Sequence, residues 1–133
     1  MINVDFGKNE EKNSSFSANI PSSAKCYLFR GTFTINGMKE PDLTYRFSSI
    51  THTTKNSFKL VFIELEDFKA TKIFDNAVKN NYTFDLHIDY YDDTLTNVMY
   101  SSDYKNCSIV HKHEFDLSVT EKEGLELIVE CTY

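Results

Sequence analysis

Asp85, His87 and Asp89 recur at every second position, so on an extended chain their side chains share one face. An imidazole with a carboxylate two residues to either side could act as a general base or ligate a cation. The competing expectation is the wet side of a half-buried strand. Phe84, Leu86, Ile88 and Tyr90 fill the alternate positions, and alternation alone places polar residues between them. His111 and His113 flank Lys112 and can present two imidazoles to a metal. Glu114 and Asp116 point to the opposite face if that strand is regular, so the expectation is two solvent-facing histidines without a third ligand. Asp92, Asp93 and Asp103 could hold calcium but lack EF-hand spacing and its glycine, and turn chemistry accounts for the first two. Cys107 has no evident base or helix N-terminus to activate it, and a buried structural thiol is expected. There is no P-loop, dinucleotide fingerprint, G-x-S-x-G or H-E-x-x-H. The residues therefore give no reason to expect an enzyme, a metal or a cofactor.

The elements that carry these residues read mostly as strands. Tyr27, Phe29, Phe33 and Ile35 share one face of a first strand, with Gly31 between them and Asn36-Gly37 as a turn signal. Pro41-Asp42 restarts the chain into a second strand of Leu43, Tyr45 and Phe47, with Thr44, Arg46 and Ser48 outward. Residues 48–57 are an exposed strand extension or a loop. Phe58 to Leu65 is apolar on both sides, which predicts a central strand. Ala70, Ile73, Phe74, Ala77 and Val78 then form a helical stripe, with Asp67 as N-cap and Asn80-Asn81 as the exit. After the strand 82–91 and a turn at Asp92-Asp93, strands are expected at 95–100, 104–111, 113–119 and 125–131. The sum is a mainly β fold: an antiparallel barrel or sandwich of seven to eight strands with one external helix at about 68–80.

With 133 residues, residues 25–133 make a single domain large enough for a core without staples. Residues 1–24 form a polar arm whose spaced Phe6, Phe16 and Ile20 suit contact with a neighbouring subunit. A net charge of −6 disfavours a dedicated grip on nucleic-acid phosphates. Cys26, Cys107 and Cys131 cannot all pair within one chain, which suits reduced thiols and synthesis in the cytoplasm. No export signal or membrane-spanning run is visible, and the sequons at Asn13, Asn81 and Asn106 read as chance. Eleven phenylalanines and eight tyrosines serve the sheet and equally suit interfaces.

The order of strand pair, strand, helix, alternating strand, strand and closing pair resembles that of phage tail-tube proteins and the related Hcp protein of type VI secretion. The segments carrying the resemblance are FKLVFIELEDFKATKIFDNAVKNN, YTFDLHIDYYDD, NCSIVHKHEFDLS and LELIVEC. The resemblance covers roughly residues 25 to 133 and implies a structural protein. Its subunits would close through edge strands into hexameric rings that stack as a tube for DNA or effector proteins, with sheath or baseplate proteins as further partners. Asp85, His87 and Asp89 would then line the lumen or an intersubunit groove. Tail-tube subunits usually carry a long loop between the second and third strands, where this chain has only residues 48–57. The arm could substitute for it, or the chain could form a terminal or adaptor ring. Two other readings compete: a small acidic immunity or inhibitor module acting on a basic partner, and a barrel holding an apolar ligand.

Overall fold

A computed structural model of the chain describes Lys25, residues 28–120 and residues 123–133. The arm with Phe6, Phe16 and Ile20, together with Cys26 and Tyr27, lies outside the described residues. The elements are β1 (Phe29–Ile35), β2 (Met38–Lys39), α1 (Pro41–Arg46), β3 (Phe47–Thr54), β4 (Ser57–Ile63), α2 (Lys69–Lys79), β5 (Phe84–Tyr91), β6 (Val98–Lys112) and β7 (Glu126–Thr132). The seven strands form one antiparallel sheet in the order β2-β1-β5-β6-β7-β4-β3. Its two end strands do not pair with each other, so the sheet folds over as an open sandwich and not a closed barrel.

The fold-over happens within β6. Val98 to Cys107 pair with β5, whereas Ser108 to Lys112 pair with β7. The sequence pattern suggests two strands joined at 101–103, but the strand is continuous. It turns between the two halves near Asn106, which sits in the left-handed region at φ 53° with its N–H donated to Asp85 Oδ1. An unpaired residue of this kind bends a strand without ending it. The other half then crosses over the first. Phe47 at the start of β3 packs 5.5 and 5.2 Å from Phe29 and Phe33 of β1, and His52 further along β3 packs 5.7 Å from Tyr104 of β6. Phe33, Phe58, Phe62, Phe74 and Phe84 fill the space between the halves, all essentially inaccessible to solvent. Phe33, Phe62, Phe74 and Phe84 pack ring on ring, and Phe58 packs against Tyr104 and Tyr133.

Local chemistry explains where the chain departs from simple alternation. Asn36 and Gly37 both have positive φ, at 50° and 81°, the requirement of a type I′ hairpin turn. The expected strand at Leu43 is instead the helix α1. Proline pre-sets its first turn, and Leu43 and Arg46, three apart, form its buried side while Tyr45 is 80% exposed. The helical period outweighs the apolar alternation of Leu43, Tyr45 and Phe47. Arg46 is accordingly buried and not outward. Its guanidinium donates to both Asp67 carboxylate oxygens at 3.0 and 2.8 Å, tying α1 to the start of α2.

The helix α2 occupies nearly the expected span, but it is capped differently. Phe68 holds the cap position in a left-handed conformation and contributes no side-chain bond. Asp67 accepts from Lys69 N, and the buried carboxylate of Glu64 accepts from Thr71 N and Oγ1. At the other end Asn81 takes φ 57°, with Tyr82 N donating to Ala77 O and Asn81 N to Val78 O, a Schellman ending. Ala70, Phe74 and Ala77 are buried, whereas Val78 of the expected stripe is half exposed. The strand expected at 113–119 does not form; residues 113–118 are irregular, with Phe115 laid against Phe68.

Candidate functional site

β5 sets its alternating side chains as the sequence requires. Phe84, Leu86 and Ile88 are buried, and Asp85, His87 and Asp89 are half-buried on the outer face. Pairing extends that face in both directions. Across β1 the partners are Arg30, Thr32 and Thr34; across β6 they include Ser101 and Asp103. Paired residues in an antiparallel sheet point to the same side, so the outer surface is a compact field of opposed charges. A shallow depression of ≈ 330 Å³ lies on it, with Thr32, Thr34, Lys39 and Lys105 around Asp85, His87 and Asp103.

His87 is the centre of this field. Its Nδ1 lies 2.7 Å from Asp103 Oδ1 and its Nε2 lies 2.7 Å from Asp89 Oδ1. An ionised carboxylate only accepts hydrogen bonds, so a protonated ring, with both nitrogens donating, suits this geometry best. The bonds to Asp103 and then Asp89 raise its pKa. Asp89 is held below the usual carboxylate range chiefly by the Ser101 hydroxyl, 2.6 Å away, with His87 adding to it.

This geometry decides what the cluster can do. A general base needs a ring nitrogen free to reach a substrate, and both His87 nitrogens already face carboxylates. A metal needs ligand atoms converging on one point, but the two carboxylates sit at opposite edges of the ring. No three potential metal ligands converge anywhere among the described residues. Through His87 and Asp103 the cluster bridges β5 and β6 on the outer face of the sheet. Asp103, weighed from sequence only as a calcium ligand without EF-hand spacing, and Ser101 are the partners that sequence reasoning missed; only the β5–β6 register brings them to His87. Asp85 belongs to the same face but is bound to the β6 backbone.

The remaining candidates are structural. The His111 and His113 rings lie 4.8 Å apart, and His113 Nε2 bonds Glu130 Oε2 on β7, lowering the Glu130 pKa. Asp92 does not stand ready for calcium either. It accepts from Asn97 Nδ2 and Thr94 Oγ1 at 2.7 and 2.8 Å and orders the β5–β6 hairpin tip, which holds its pKa down at about 2. Cys107 and Cys131 are buried free thiols. Burial pushes the Cys107 pKa up to about 12 and raises that of Cys131 further, so neither is a ready thiolate.

Two solved structures share this arrangement of elements. A chain of the anti-feeding prophage baseplate, a 6-fold symmetrised assembly, matches with a TM-score of 0.65 at 14% identity, covering 86% of this chain and 93% of that one. A chain of an extracellular contractile injection system, in the PVC sheath-tube complex in its extended state, matches with a TM-score of 0.59 at 12% identity, covering 91% and 93%. No protein-family model matches the sequence, and no curated protein does.

Proposed function

We propose that this chain is a structural subunit of a phage-tail-like contractile injection system, assembling with copies of itself into a ring of the tube or of the junction between tube and baseplate. The observation that carries this reading is the span of the fold match: 93% of a baseplate chain and 93% of a sheath-tube chain are covered by one domain. The sheet supports it physically. Among the described residues β3 pairs only with β4, and β2 at the other end is two residues long. Such open ends are a hazard in a monomer and a closing contact in a ring. The short connection at residues 48–57, β3 and its turn, favours a terminal or adaptor ring over a long stacked tube.

In this reading Asp85, His87 and Asp89 form a polar wall that faces the lumen or a neighbouring subunit, while Phe6, Phe16 and Ile20 belong to an arm that reaches another subunit. No catalysis and no cofactor are involved. The test is sedimentation velocity of the full chain over a wide concentration range. A discrete large species at the expense of monomer is expected; a monomer at every concentration and salt would overturn the proposal and favour a binding module with an acidic surface.

A further inference from the structure

The open edge of β3 borders an aromatic mouth. β4 is the deeper strand: its Phe62 meets Phe33 and Phe74. β3 lies further out, where Phe47 meets Phe29. Phe47 and Ile50 are only half-buried on the inner side of that edge. Among the described residues the edge therefore offers unpaired backbone together with uncovered apolar surface, the two features that strand addition uses.

The arm joins the domain beside this mouth, because Leu28 O accepts from Tyr91 N at the end of β5. Ile2, Val4 and Phe6 occupy alternate positions, the period of a strand with one apolar face. They lie at the far end of the arm, and the residues between Phe6 and Leu28 can span up to roughly 70 Å. The edge itself is only about 26 Å long. A strand meant for its own edge would need a spacer of a few residues; one this long suits a crossing to another molecule.

We propose that residues 2–6 of a second copy add as a strand to the open edge of β3, with Ile2, Val4 and Phe6 covering Phe47 and Ile50. This deepens the ring-forming reading and depends on it. The edge is regular from Ser49 to His52, between two register shifts, which matches a donor of about this length. Exchange of an identical element between copies is a low-cost route to assembly.

The experiment uses full-length chain carrying p-benzoylphenylalanine in place of Phe6, mixed before assembly with a large excess of ¹⁵N-labelled wild type and irradiated. The expected product joins the unlabelled arm peptide to the labelled peptide of residues 47–55. Cross-links confined to unlabelled chains would show that the arm serves its own domain and would overturn the inference, as would cross-links elsewhere or none. Val4→Asp with Phe6→Asp should reduce assembly at least tenfold while leaving the domain's melting temperature unchanged; unaltered assembly would also overturn it. If sedimentation shows no assembly of the wild type, the ring reading itself fails. If assemblies form but the probe misses β3, only the arm's docking place is wrong.

Discussion

Gly31→Ala gives a sharp test of how β3 is seated on β1. A Cβ built on Gly31 would lie 2.6 and 2.7 Å from Phe47 Cδ2 and Cε2, and 3.3 Å from Leu86 Cδ1. The Phe47 ring cannot simply swing aside, because it is packed against Phe29, Phe33 and Phe62 at centroid distances of 5.5, 5.2 and 5.6 Å. Overpacking of this kind costs about 1–3 kcal/mol. Restricting the unfolded chain recovers roughly 0.4–1 kcal/mol, so the net loss should be about 1–2 kcal/mol. For a domain of this size that lowers the melting temperature by roughly 3–6 °C per kcal/mol. Urea unfolding would measure it, with Phe47→Leu and the double variant completing a cycle. Removing the ring edge should relieve the clash, leaving the double variant more stable than the sum of the singles by about 1 kcal/mol. A neutral Gly31→Ala, or strict additivity, would refute the proposed contact between β1 and β3.

Other outcomes follow from the ion pairs. Arg46 is buried with its partner Asp67 at the surface, so Arg46→Met should change stability by less than about 1.5 kcal/mol. Asp67→Asn should be clearly worse, because it removes the nearer carboxylate from a buried guanidinium and leaves only Asp42, 3.5 Å away; thermal melts of the two variants decide this. His87 has its pKa raised in the folded state, so its stabilisation is complete below the unfolded value of about 6.5 and fades as pH rises through the folded value. Its side chain is 41% exposed, which limits the effect to under about 1 kcal/mol. Asp67 and Asp89 are shifted down, so their contribution is present above about pH 4 and is lost on acidification. Stability from these groups should peak between roughly pH 4 and 6.5, and His87→Gln should flatten the neutral side of the profile and weaken only the Asp89 part of the acidic side.

The strands whose two faces differ were legible in the sequence. β5 reads directly because Phe84, Leu86 and Ile88 go inward and Asp85, His87 and Asp89 outward. The α2 stripe was readable for the same reason, and Asn81 marked its end. α1 was not, because Leu43, Tyr45 and Phe47 imitate a strand; the signals that favoured a helix were Pro41 and the burial of Arg46 by a partner 21 residues away. The sequence pattern divides β6 in two because its middle is polar on both faces, and a bend at Asn106 leaves no break in composition. The three outward residues of the candidate site were visible, but their chemistry was not. Whether His87 is a base or a clamp depends on Asp103, and that pairing exists only in the register of β5 with β6.

The central claim is self-assembly into a ring, and negative-stain imaging of the largest species from sedimentation tests it most directly. The account predicts uniform annular particles with a stain-filled centre. Compact particles without a channel, or irregular aggregates, would contradict it.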